Sequence, residues 1–127
     1  MQIIQHDKIP TPKGHYSPII AHNGLLYFSG QLPRNPTTGM IPEGIEAQTH
    51  QVLANIEDLL HLAGCKKSDV LQMRVYVADI QLWEQVNAIY TLFFGEHKPV
   101  RTIVPTGPLH YGCLLEIEAT AVLPQPL

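Results

Sequence analysis

Arg101 and the two glutamates Glu116 and Glu118 have the types and spacing that suit chemistry. Arg101 opens a β-branched run, Arg-Thr-Ile-Val, just after Pro99. A guanidinium is an unusual start for a strand that enters a core. It is either a strand-end cation paired with a carboxylate or a clamp for an anion. Its planar fork offers parallel donors that match a carboxylate. Glu116 and Glu118 stand two apart in an alternating run, so they share one strand face. They are either a solvated, ion-paired face or, beside a small pocket, a general base for water. Residues on neighbouring strands meet above a sheet, which makes Arg101 and Glu116 a candidate pair that spacing alone does not join.

Other reactive types carry less. His50 and His61 lie about three helical turns apart, so they share a face without forming a ligand cage. His110 and Cys113 make one HxxC pair, whereas zinc takes three or four protein ligands. Cys65 and Cys113 form no CxxC and read as packed, reduced thiols of a cytosolic protein. Trp83, Phe93 and Phe94 fall at helical spacing and read as core. Neither GxGxxG nor GxxxxGK[ST] is present, so a nucleotide cradle has no support.

These side chains need elements to position them. Asn23-Gly24 between apolar runs at 18–21 and 25–28 predicts a hairpin with a type I′ turn. Residues 32–44 hold too much Pro and Gly for regular structure. Ile45, Thr49, Val52, Ile56, Leu59, Leu60 and Ala63 define one helix face, closed by Gly64. Leu71, Met73, Val75 and Val77 alternate with Gln72, Arg74 and Tyr76, which predicts a strand with one face on the core. Asp79 caps a second helix through Leu82, Val86, Ile89, Tyr90 and Phe93, with Gly95 as its stop. A short strand at Arg101 and a longer one with Leu115, Ile117, Ala119 and Ala121 inward complete the order β, ββ, α, β, α, β, β. That order predicts an α+β sandwich of one mixed sheet with two helices on one face. The other face carries Arg74, Glu116 and Glu118 among apolar residues and invites a partner subunit.

Composition sets the frame. The 127 residues predict a single domain over 1–127. Charged residues are only 15%, below the ~25% of an average soluble domain, which suggests that other copies cover part of the surface. Net charge is −3 and no basic run exists, so a nucleic-acid footprint is lacking. No stretch approaches the ~20 apolar residues of a membrane span, and the N-terminus does not read as a signal peptide.

Several segments together resemble the Rid (reactive intermediate deaminase, YjgF) family, in particular its RidA-type members. They are "GHYSP", "FSGQLPRNPTTGMIP", "QTHQVLANIEDLLHLAG", "VLQMRVYVADI", "VNAIYTLFFGEHKPVRTIV" and "LLEIEATAV", in the expected order over essentially the whole chain. The resemblance implies a chorismate-mutase-like (ferredoxin-like-type) fold and a homotrimer whose sheets form a central barrel, with sites between subunits. It implies that Arg101 holds a substrate carboxylate and that Glu116 positions the attacking water. It places Tyr16, Ser29 and Asn87 in the cleft. It sets Ile103 where the family often has cysteine, a position that serves through its backbone. The implied activity is hydrolysis of 2-iminobutanoate, 2-iminopropanoate and related enamines from pyridoxal-phosphate dehydratases. The products are a 2-keto acid and ammonia, with no metal or organic cofactor, in the cytoplasm. Two other readings stay open: a non-catalytic trimeric module that binds small 2-keto or other carboxylic acids, and an RNA-cleaving protein, which the acidic balance disfavours. The short GEHKPVR segment and "VPTGPLHYG" depart from familiar members and leave the preferred substrate side chain unassigned.

Overall fold

Asn23 and Gly24 both take positive φ, 51° and 77°, so the first hairpin turns as the dipeptide predicts. It joins β2 (Ile19–His22) to β3 (Leu25–Gln31). A two-residue β1 (Gln2–Ile3) adds to the β2 edge. The computed structural model describes residues 1–124. Its sheet continues through β4 (Val70–Val77), β5 (Val100–Pro105) and β6 (Leu115–Val122) in the order β1-β2-β3-β6-β4-β5. All pairings are antiparallel except β4 with β5.

Two helices supply the second layer. α1 runs Ile45–Leu62, and Gly64 follows at φ 84°, the left-handed residue that ends it. α2 runs Trp83–Phe94 after a 3₁₀ turn in which Asp79 accepts from the Gln81 backbone N–H at 2.9 Å. Gly95 stops it at φ 62°. Val52, Leu53, Ile56 and Leu60 of α1 join Val86, Tyr90 and Phe94 of α2 in one buried cluster with Met73, Val75, Leu115 and Ile117 of the sheet. Each fully buried aliphatic chain contributes ~1.5–3 kcal/mol. Both helices therefore lie on one face of a single mixed sheet. In β6 the alternation holds residue by residue: Leu115, Ile117, Ala119 and Ala121 are buried, and Glu116, Glu118 and Thr120 are half-buried on the open face. There the Tyr76 hydroxyl donates to Glu118, and Arg74 stands 4.0 Å from the same carboxylate.

Two expectations need correction. Leu71 is exposed and Val70 takes its place in the core. Val70 pairs with Ala121 and Gln72 with Thr120, so Leu71 is the extra residue of a bulge that inverts the alternation. Phe94 is the buried member of the aromatic pair, and Phe93 is half-buried against the core. Cys113, read as a packed thiol, is buried just before β6.

Buried Gln48 ties the irregular segment 32–44 to the start of β6. Its amide donates to the Pro42 carbonyl at 3.0 Å and accepts from the Leu114 N–H at 2.8 Å. Gln48→Leu strands both backbone groups, at ~1–3 kcal/mol each. A domain of this size then loses roughly 10 °C of melting temperature. Thermal unfolding followed by circular dichroism measures it.

Candidate functional site

β5 is an edge strand, so Arg101 has a backbone neighbour on one side only. It stands in register with Met73, whose side chain is buried on the helix-covered face, and its own side chain reaches α2 on that face. One terminal N–H donates to the Asn87 side-chain oxygen at 3.0 Å. The guanidinium carbon lies 4.7 Å from the Trp83 ring centre and 5.0 Å from that of Tyr90. Two rings and an amide thus fix the plane of an exposed cation. Burial pushes the Tyr90 phenol up to about 12 against the opposing pull of Arg101, so the ring stays neutral. Arg101 has no carboxylate partner among the described residues. It opens on a cleft of about 430 Å³ lined also by Asn87, Thr91, Phe94 and Lys98. The short segment after α2 is pinned there by a 2.7 Å contact between the His97 ring and the Val70 carbonyl. Ile103, two residues on, faces the same side and packs partly buried against the core.

Glu116 belongs to a different constellation. Between Phe28 and Gln31 the β3–β6 register shifts, leaving three steps of β3 against two of β6. The bulge brings Gly30, next to Ser29, against Glu116. A Cβ on Gly30 would lie 2.5 Å from Glu116 Oε2, so any larger residue there displaces the carboxylate from this position. Burial, then the neighbouring Glu118, push the Glu116 carboxyl above its usual range, and His110 pulls the other way. Ser29 and Gly30 line a second cleft of about 660 Å³, together with the exposed Tyr16.

The expected residues therefore fall into two groups. Arg101, Asn87 and Ile103 lie at the β5 edge, next to α2. Tyr16, Ser29 and Glu116 lie around the β3 bulge. The structure does not bring Arg101 and Glu116 together within one chain. β4 separates their strands, and Glu116 pairs with Tyr76 on the open face while Arg101 is on the covered one. Strand order is not readable from chain order when a helix crosses over, and that crossover is what parts them. Trp83 and Tyr90 pack in or against the core as their helical spacing predicts, and, one turn either side of Asn87 on α2, they also flank the Arg101 guanidinium. Among the described residues no three His, Cys, Asp or Glu side chains are grouped to hold a metal, and no helix is long and apolar enough to cross a membrane.

Comparison with known proteins gives the fold and these motifs a family. The family described as Endoribonuclease L-PSP matches residues 6–123. A RutC family protein of Pyrococcus horikoshii is 40% identical over 94% of this chain and 96% of its own. The 2-iminobutanoate/2-iminopropanoate deaminase of Escherichia coli K12 is 35% identical over 94% of this chain and 95% of its own. The crystal structure of E. coli TdcF with bound serine superposes with a TM-score of 0.89 at 32% identity, covering 96% of this chain and 98% of that one. The chain belongs to the Rid (YjgF, RutC) family.

Proposed function

We propose that the protein is a 2-imino acid hydrolase acting on 2-iminobutanoate, 2-iminopropanoate and the enamines that tautomerise to them. The carrying observation is Arg101: a cation oriented by Asn87, Trp83 and Tyr90, exposed, and without a carboxylate partner among the described residues. The reaction is R–C(=NH₂⁺)–COO⁻ + H₂O → R–C(=O)–COO⁻ + NH₄⁺. Arg101 holds the carboxylate and keeps positive charge near the carbon under attack. Glu116 takes a proton from water as the oxygen adds to the imine carbon, then returns it to nitrogen as ammonia leaves. Tyr16 and Ser29 line the cleft. Two relatives support the substrate class: one is named a deaminase of these imines, and one holds serine, a small amino acid.

Arg101 and Glu116 lie on opposite faces of one sheet, so this chemistry needs two copies of the chain. Arg101 of one copy meets Glu116 of the next, in a trimer whose open sheet faces turn inward as a barrel. Half-buried Arg74, Tyr76 and Glu118 and the exposed Tyr27 on the open face support that assembly. The test is release of ammonia and pyruvate from 2-aminoacrylate formed in situ by a serine dehydratase. Acceleration beyond the spontaneous rate is expected. An unchanged rate would favour a small-carboxylate-binding module instead.

A further inference from the structure

Arg34 sits on the wall of the cleft beside Glu116 and has no role in the reaction above. Its Nε–H donates to the Gly39 carbonyl at 3.0 Å, and its own carbonyl accepts from the Asn55 amide at 2.8 Å, which ties the loop to α1. Its guanidinium lies 5.3 Å from the centre of the Tyr111 ring. Tyr111, at φ 59° without being glycine, in turn stacks on His110 at 3.7 Å between ring centres. Side chains rarely accept that backbone region unless the surroundings hold them there. Arg34 is half-buried, yet its terminal N–H groups have no hydrogen-bond partner and no carboxylate within 4.0 Å among the described residues. A half-buried guanidinium whose terminal N–H groups lack partners is suited to pair with an anion. The lining of the cleft carries Lys8, Lys13 and Arg34 against Asp58, with Glu116 beside it, although the chain is net −3.

We infer that the Arg34–Tyr111–His110 stack is a side-chain subsite that selects 2-imino acids, and the 2-keto acids made from them, whose side chain ends in a second carboxylate. This rests on the reading that Arg101 takes the α-carboxylate and Glu116 addresses C2. The substituent on C2 then extends from Glu116 past Ser29 and Gly30 into the wide cleft. Its far end meets the two free arms of Arg34, which are already oriented by Gly39 and the Tyr111 face. An apolar side chain fills the same space and leaves the guanidinium unpaired.

The test is calorimetric titration of the full-length protein with 2-oxoglutarate and 2-oxopentanoate. The two have the same carbon chain and differ only in the terminal carboxylate. Wild type is expected to bind 2-oxoglutarate ~10-fold more tightly, the value of one charge-assisted pair. Arg34→Met keeps most of the stem on Tyr111 and is expected to erase that ratio by weakening 2-oxoglutarate alone. Arg34→Lys, with the charge but not the fork, is expected to fall between and serves if the methionine variant does not fold. A ratio that is the same in wild type and both variants, with 2-oxopentanoate still bound, overturns the subsite and leaves the proposed function standing. Binding of neither acid to wild type overturns both.

Discussion

Arg101→Ala is expected to lower kcat/KM for imine hydrolysis by at least ~10²-fold while the protein stays folded. Two charge-assisted hydrogen bonds to a carboxylate are worth ~1.5–3 kcal/mol each, and about 2.7 kcal/mol is a hundredfold. The fold loses little because the side chain is exposed at an edge strand. Its stacking on Trp83 and Tyr90 contributes ~0.5–1 kcal/mol at such a site. Asn87, freed of its 3.0 Å bond, regains water. The melting temperature should therefore move by only a few degrees. Arg101→Lys keeps the charge but cannot reach both carboxylate oxygens in parallel, so it should recover part of the rate. Initial rates with 2-aminoacrylate formed in situ, set beside thermal melting, decide the matter. A variant at wild-type rate would remove Arg101 from the mechanism. A variant that unfolds would make it a structural strand-end residue.

The same residue shows what a sequence can and cannot disclose here. Local chemistry was legible: Asn23-Gly24 dictates its turn, Gly64 and Gly95 end their helices, and β6 alternates as written. Each of those depends on residues a few positions apart. The two bulges were not legible. Leu71 is as apolar as Val70, and only the partner strand decides which of them faces the core. Ser29-Gly30 reads as the end of a strand, and only the Glu116 carboxylate pressed against Gly30 explains the glycine. The face of the sheet that Arg101 shares with α2 follows from the parallel β4–β5 pairing, a contact across the whole second helix. Family resemblance implies a site shared between subunits, and the fold of one chain sets Arg101 and Glu116 on opposite faces of the sheet. The Arg34–Tyr111 contact is longer in range still. Neither motif around these two residues signals the other, so the stack emerges only once the loops are placed.

Glu116→Gln is expected to separate binding from chemistry. Glutamine keeps the shape beside Gly30 and loses the proton acceptor, so a general base worth ~10²–10⁴-fold is removed. Binding of 2-keto acids to Arg101 should persist, which distinguishes this variant from Arg101→Ala. The pH profile adds a second readout. Burial and Glu118 raise the Glu116 pKa above the ordinary value of 4.5. Activity carried by the carboxylate must then fall on the acid side at a higher pH than an ordinary glutamate gives. That limb should vanish from whatever activity Glu116→Gln retains. Stability runs in the opposite sense. A carboxyl whose folded pKa is raised contributes fully below 4.5, and that contribution is lost as pH rises through the raised value. The ionised group is thus a strain on the isolated chain, and Glu116→Gln should melt no lower than wild type at pH 7. Its advantage should fade towards pH 4. A glutamate kept only for folding would show the reverse, with the variant less stable at neutral pH and its rate unchanged. Loss of rate together with undiminished stability is the signature of a carboxylate held in an unfavourable place because the reaction needs it there.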